Sequence, residues 1–376
     1  MRKELTIRVC IVTHSFAPRL GGIETHIAQI SKELSVLGWE VEVLVQEPDS
    51  SLPRIERHGG YVVRRFGGWP NSPHYRTSFG LAQFVRRHSS EFDVLHVHNY
   101  HSSPALLATY CSSVPVVITT HYHGETASRV RDMLHIGYRI LARRMLDKAA
   151  VIICETNEER ERLKSVFPEM DPRVTIIPPG TSRRPPSARQ RQDRVRVLSV
   201  GRLDGYKRVD QAIRAMRFLP NNYVLCVVGD GPSRSDLEDE CAKFGLTDRV
   251  QFLGRLSDED LGAQWELADI FVTLSRLEAW GLGVLDALAT GIPCVVSAIP
   301  AHQAVSLLDP GHAVEVSLDA NDEAVADAIQ MAHSIGFFSP TGLPTWSWVA
   351  EQLQSAYLNA VGGVLLPGDA GPSQHL

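Results

Sequence analysis

The chain of 376 residues has no Cys-x-x-Cys pair and no cysteine cluster. Cys10, Cys111, Cys154, Cys226, Cys241 and Cys294 lie far apart, and all but Cys111 and Cys241 fall inside apolar strand patterns, where a thiol acts as a small hydrophobe. That usage argues against a disulfide scaffold and suits a reducing cytoplasm. No apolar run approaches the roughly 20 residues of a membrane span. Glu4 and Arg8 stand where a signal peptide would be apolar. The expectation is a cytoplasmic protein, at most peripheral to the inner face of a membrane. Net charge is only −5, which gives no reason to expect nucleic acid as a partner. The charge is uneven: residues 1–180 hold 22 Lys and Arg against 19 acids, and the rest 16 against 24.

Short Val- and Ile-rich runs without alternation imply strands covered on both faces, hence parallel sheets. They read at 9–13, 41–45, 61–65, 94–97, 116–119 and 151–154, and again at 195–200, 225–228, 250–253, 270–273 and 294–296. Helical patterns at 24–37, 79–88, 133–149, 209–218, 235–244 and 282–289 separate them. Two doubly wound α/β domains follow, with ligands expected at the carboxyl ends of the strands. A proline- and arginine-rich stretch over 178–194 marks the boundary. The expected organisation is 1–184, 185–345, a last helix at 346–362 and a Gly/Pro/polar tail at 363–376 that reads as disordered.

The most informative stretch runs from Ala268 to Ser297 and reads strand, loop, helix, turn, strand. A loop entering a helix N-terminus presents free N–H groups and a positive dipole end, which favour a phosphate. Glu278 and Asp286 bracket this loop eight positions apart. A carboxylate repels phosphate, so its natural partner is a neighbouring hydroxyl-rich group, and the pairing suggests a sugar nucleotide. Earlier in the chain, Gly201 follows a strand, and Arg202 and Lys207 flank a loop entering a helix, a clamp suited to a diphosphate. Gly229 and Gly231 end another strand in a Gly-x-Gly turn. Arg255 and Leu256 follow the next strand. In the first half, Gly21-Gly22-Ile-Glu24-Thr-His26 is not the Rossmann glycine pattern, and Thr119-Thr-His121-Tyr-His123-Gly-Glu125 ends a strand. His96, His98 and His101 read as strand-end histidines at a cleft edge rather than metal ligands. Ser257-Asp-Glu-Asp260 reads as a helix N-cap with dipole-favouring acids.

Glu278-Ala-Trp280-Gly281-Leu282-Gly-Val-Leu-Asp286 resembles the signature of the retaining glycosyltransferases of family 4, which have the GT-B fold. The second acid is Asp rather than Glu, and Trp280 replaces the usual Phe. Five motifs, from Gly22 to Pro293, stand in family order. The resemblance implies two Rossmann-like domains facing across a cleft, the first binding the acceptor and the second the nucleotide sugar, with the last helix crossing back to the first. It implies that Arg202 and Lys207 neutralise the leaving nucleotide diphosphate and that Glu278 holds a sugar hydroxyl. His121 would lie near the donor sugar, and Gly22 near donor phosphate and acceptor. Gly201, Gly229, Gly231, Arg255, Leu256, Trp280, Gly281, Leu282 and Asp286 would bind the nucleotide. His123 and Glu125 are weaker acceptor candidates. Arg208 stands where the family often has Gly. The implied reaction moves a hexosyl unit from a nucleotide-diphosphate sugar, UDP-linked by preference, to a hydroxyl acceptor with retention, and uses no metal or cofactor beyond the donor. The rival readings are a UDP-sugar 2-epimerase of the same fold and a non-catalytic nucleotide-sugar-binding subunit. The basic amphipathic stretch 129–148 is a candidate for weak membrane contact.

Overall fold

The computed structural model describes residues 7–19, 21–47, 49, 51–68, 77–122, 129–186, 193–278 and 280–362, with backbone alone for 129–137. The chain forms two compact units, one comprising residues through 180 with the segment from 344 through the last helix, the other spanning 181–343. The division falls four residues before the boundary expected from the linker composition.

The first unit contains strands β1 (Arg8–Thr13), β2 (Glu40–Gln46), β3 (Ile55–His58), β4 (Tyr61–Phe66), β5 (Val94–His98), β6 (Val116–Thr119), β7 (Ala149–Cys154) and β8 (Val174–Ile176). Its helices are α1 (Gly22–Val36), α2 (Phe79–His88), α3 (Ser103–Cys111), α4 (Arg129–Asp147) and α5 (Asn157–Val166). The sheet order is β3-β4-β2-β1-β5-β6-β7-β8, parallel except for the β3–β4 hairpin. The sequence reading missed β3, whose Ile-Glu-Arg-His is a charged edge strand without an apolar face.

Helix α1 buries His26, Ile27, Ile30, Ser31 and Leu34, one stripe at helical spacing. Ile27, Ile30 and Leu34 are fully buried, which contributes about 6 kcal/mol at roughly 2 kcal/mol each. Part of that stripe meets the final helix, here numbered last as α12. The second unit lies between them in sequence. It has β9 (Val195–Val200), β10 (Tyr223–Val228), β11 (Val250–Gly254), β12 (Ile270–Thr273), β13 (Cys294–Ser297) and β14 (Ala313–Val316). Its helices are α6 (Val209–Ala215), α7 (Arg234–Lys243), α8 (Asp258–Leu267), α9 (Leu282–Thr290), α10 (Pro300–Ser306) and α11 (Asp322–Ile335), and α12 (Trp346–Ala360) follows in the first unit.

The second sheet is parallel throughout, in the order β11-β10-β9-β12-β13-β14. Successive residues along its strands enter opposite cores. Val197, Leu225 and Val272 join the layer of α6, α7 and α11, and Leu198, Cys226 and Phe271 join that of α8 and α9. This two-sided burial is why these strands read as unbroken apolar runs.

Helix α12 starts at the Thr345 cap, whose hydroxyl accepts from Trp348 N–H at 3.2 Å. Trp346 meets His26 edge-on, with ring centroids 5.4 Å apart, and Tyr357 packs on Trp39 at 5.5 Å. A Cβ on Gly180 would lie 2.6 Å from the backbone of Thr345 and Trp346, so the two ends of this unit's chain pass too closely for any side chain there. All six cysteines are free thiols. No helix among the described residues is long and apolar enough to cross a membrane. Of α4, Ile140 and Leu141 are exposed, 61% and 43%. The tail from 363 lies outside the described residues.

Candidate active site

In the second unit, loops from the carboxyl ends of β9, β10 and β12 meet. Gly201, Arg202, Leu203, Lys207, Val228 and Thr273 line one recess there. Lys207 Nζ lies 2.6 Å from Glu278 Oε1, which also accepts the Ser275 hydroxyl at 2.7 Å. Both side chains of the ion pair are about one-fifth exposed, 18% and 19%, so solvent screens their attraction less than that of a surface pair. The Tyr206 ring adds a cation–π contact, 5.4 Å from Lys207 Nζ. Arg202 is 60% exposed and its guanidinium lies 2.7 Å from Asp204 and 3.3 Å from the Tyr206 hydroxyl. The structure thus brings Arg202, Lys207 and Glu278 to the same loops.

Three contacts behind Glu278 carried no sequence signal. Arg276 N–H donates to Tyr206 O at 2.9 Å and ties the loop after β12 to the loop after β9. The Ser297 hydroxyl, at the end of β13, donates to the Ser275 carbonyl. His302 Nδ1 lies 3.1 Å from both the hydroxyl and the carbonyl of Ser297. Burial lowers the pKa of His302, and the charge of Glu278 opposes this only in part. Only strand order could have found these residues, because β12 and β13 are neighbours in the sheet.

Gly281 is the N-cap of α9 at φ +102°, and a Cβ there would approach the His302 ring to 3.3 Å. The first N–H groups of α9, those of Leu282 and Gly283, have no acceptor within the helix. They supply the positive helix end four and five residues beyond Glu278. Trp280 belongs to the core instead, 4% exposed among residues such as Val284 and Leu285. Leu256 also packs on that core, and Arg255 is exposed after β11.

Gly229 and Gly231 have a packing reason. A Cβ at Gly229, whose φ is +132°, would lie 1.8 Å from Gly201 O, and one at Gly231 would lie 2.5 Å from Leu203 O. Their loop is what supports the loop carrying Arg202. Asp286 accepts the Thr181 hydroxyl at 2.6 Å and lies 3.8 Å from Arg183 Nε. Burial raises its pKa against the pull of both partners. The structure therefore sets Asp286 of α9 against the segment entering this unit, and no contact among the described residues joins it to Glu278.

In the first unit, a second group gathers at the carboxyl ends of β1, β5, β6 and β7. Gly22 opens α1, whose N-cap is Gly21. His121 follows β6 in a left-handed conformation, φ +45°, and is 3% exposed. Its Nδ1 lies 3.2 Å from Glu155 Oε1, and its Nε2 lies 3.3 Å from His98 Nδ1. His26 Nδ1 lies 3.7 Å from the same Glu155 oxygen. Glu159 braces the glutamate, accepting Glu155 N–H at 2.6 Å and the Thr120 hydroxyl at 2.6 Å. His96 and His98, expected at an edge, are fully buried. His96 is satisfied by Tyr357 and Thr119, each at 2.7 Å. Glu155 was missed by the sequence reading, where it was one acid among several in Cys-Glu-Thr-Asn-Glu-Glu. His123 and Glu125 lie outside the described residues.

Burial pulls His26 down to about 4 and lowers His14, His96 and His98 as well. His121 goes the other way: burial alone would lower it, but Glu155, with Glu159 behind, raises it on balance. A histidine with a depressed native pKa destabilises the fold as pH falls below its unfolded value, because the unfolded chain then binds a proton that the native one refuses. His121 contributes stability below its unfolded pKa that is lost as pH rises through its native value. Four lowered groups outweigh one raised group, so acidification from pH 7.5 to 5 should destabilise this unit, by about 2 kcal/mol from His26 alone. Urea unfolding at the two pH values checks this, and an equal or higher midpoint at pH 5 would contradict it.

Two parallel-sheet α/β units, one with paired cations beside a carboxylate and a helix N-terminus, are the architecture of GT-B glycosyltransferases. The family model described as Glycosyltransferase Family 4 matches residues 20–184, and that described as Glycosyl transferases group 1 matches 182–333. The chain belongs to this family and is a glycosyltransferase. It is 28% identical over 393 aligned residues to D-inositol 3-phosphate glycosyltransferase of Mycobacteroides abscessus, covering 92% of this chain and 86% of that one. It is 23% identical to the alpha-monoglucosyldiacylglycerol synthase of Acholeplasma laidlawii, over 77% and 80% of the two chains. Among solved structures, sucrose-phosphate synthase from Thermosynechococcus elongatus superposes with a TM-score of 0.69 at 21% identity, over 94% and 96% of the chains. Anabaena Alr3699/HepE, solved in complex with UDP and glucose, gives 0.67 at 16% identity, over 93% and 98%. At these identities the structural likeness establishes the fold alone.

Proposed function

We propose that the chain transfers a hexosyl unit from a UDP-sugar to a hydroxyl acceptor, with retention and without a metal. The observation that carries this reading is the 2.6 Å pair of Lys207 and Glu278 at the mouth of the Gly201–Arg202 loop. Breaking the anomeric C–O bond builds negative charge on the departing diphosphate and positive charge on the sugar. Fixed cations that meet the phosphate bind the transition state more strongly than the ground state. Lys207 and Arg202, with the N–H groups that open α9, supply that charge in place of a divalent ion. Glu278 is held by Lys207 and Ser275 with its second oxygen left for a sugar hydroxyl. UDP is favoured as the carrier because Anabaena Alr3699/HepE is named with UDP and with UDP-glucose.

Thermal melting with UDP-, GDP- and dTDP-sugars tests the donor. A ligand held only by the native state at a hundred times its Kd adds about 2.7 kcal/mol of stability. The expected result is a raised melting point with a UDP-sugar, followed by a product whose anomeric configuration matches the donor's and whose formation survives EDTA. No shift with any nucleotide sugar would overturn the reading. An inverted product would overturn the stereochemistry alone.

A further inference from the structure

The order of the first sheet reverses direction between β1 and β5, and open α/β sheets bind ligands outside the carboxyl ends of strands at such a point. His14 after β1, His98 at the end of β5, His121 after β6 and Glu155 after β7 all stand at these ends, with His26 of α1 beside them. We propose that Glu155, His121 and His98 form one relay, an ion-pair contact followed by a hydrogen bond, and that its outer end, Nε2 of His98, binds a hydroxyl of a ligand held by the first unit.

The Glu155 carboxylate lies 3.2 Å from Nδ1 of His121, an ion-pair contact without hydrogen-bond alignment, and its charge favours a proton on that nitrogen. Among the described residues, Nε2 of His121 then has one hydrogen-bond neighbour, Nδ1 of His98 at 3.3 Å, with the two rings stacked 5.5 Å apart at 28°. If His121 is neutral, its Nε2 accepts from His98, and His98 keeps a lone pair on its own Nε2. If His121 is protonated, it donates to His98, and His98 must carry its proton on Nε2. One proton on His121 therefore switches the far nitrogen of His98 from acceptor to donor. That nitrogen is buried and has no partner among the described residues, a state that costs about 1–3 kcal/mol unless a further group completes it. A hydroxyl both donates and accepts and so satisfies both states. An ionised carboxylate, which only accepts, satisfies only the protonated one. The left-handed backbone of His121 is a further sign of a residue held in place by its surroundings. In this scheme Glu155 and His121 are positioning residues, and His98 is the group that touches the ligand.

The groups facing the relay are Glu24 and His26 of α1, His14, His96 of β5, and Glu159 of α5, with Tyr357 of α12 occupying His96. The inference rests on the glycosyltransferase reading only in taking the ligand to be the hydroxyl-bearing acceptor.

Histidine side-chain nitrogen NMR on the full chain, titrated between pH 5.5 and 9 with no donor present, tests the relay. In the wild type, His98 Nε2 should change from a lone-pair nitrogen to an N–H with the midpoint of His121. Glu155→Gln should lower that midpoint by about one pH unit or more, a tenfold loss of proton affinity, and Glu155→Asp should restore part of it. Methyl α-D-glucopyranoside should move the His98 Nε2 signal on both sides of the midpoint, and acetate, which only accepts, on the acid side alone. Should Glu155→Gln fail to fold, the wild-type titration decides alone. A His98 signal that ignores the titration of His121, or that the glycoside leaves in place, overturns the proposal. Absence of sugar transfer from any nucleotide sugar would instead sink the broader reading, independently of these signals.

Discussion

Replacing Lys207 by alanine should lower the rate of glycosyl transfer at saturating donor by about 10²–10³-fold, the usual cost of one preorganised charge-stabilising group. Two effects act together. The ammonium is lost where the departing diphosphate gathers charge. The Glu278 carboxylate, 19% exposed, keeps only the Ser275 hydroxyl of its two partners at Oε1. It would then face the incoming phosphate uncompensated, so donor affinity should fall as well. Lys207→Arg retains the charge but not the compact ammonium that fits 2.6 Å from one oxygen, and it should fall between wild type and alanine. Steady-state kinetics over a range of donor concentration read both quantities. A turnover within a factor of ten of wild type would remove Lys207 from the machinery. Arg202, more exposed and already matched with Asp204, should lose less when truncated.

The second large effect is on the scaffold. Gly229→Ala should destabilise the second unit by about 3 kcal/mol or more, combining overpacking with a backbone angle that side chains rarely adopt. The added methyl would sit 1.8 Å from Gly201 O and 2.9 Å from Gly201 C, and backbone at that distance has no rotamer with which to yield. Gly201 can retreat only by carrying Arg202 with it, so donor affinity should fall together with the melting point. Gly245→Ala is the control: φ is +66° and nothing lies within 4 Å, so only the cost of the angle, about 1 kcal/mol, applies. Equal losses in the two variants would show that the Gly201–Gly229 approach does not matter.

Much of this molecule is legible in one dimension. The β9, β10, β12 and β13 runs announce themselves because burial on two faces demands apolar residues at every position, and the helices between them follow the 3.6-residue stripe. Glu278, Lys207 and Arg202 are legible for a different reason: loops that leave a strand and enter a helix carry their chemistry at short, fixed spacings. The strands at 55–58, 174–176 and 313–316 escape because they are short, and the first is charged as well. Asp286 is a different case: its spacing from Glu278 suggests a shared ligand, and the structure adds a partner that spacing does not announce, the Thr181 hydroxyl 105 residues away.

Sequence by itself determined the two α/β units, the parallel sheets and the cations near a helix start, since periodicity and local spacing are properties of the chain alone. Tertiary structure alone decided what those residues face. The order of strands put Ser275 against Ser297 and His302, and set Glu155 beside His121 from 34 positions away in the chain. It also made Gly229 the floor under the loop that carries Arg202. The physical reason is common to all three: a hydrogen bond or a clash depends on distance in space, and neighbouring strands of a parallel sheet are joined by whole crossover helices, so the residues that meet at their ends are far apart in the chain.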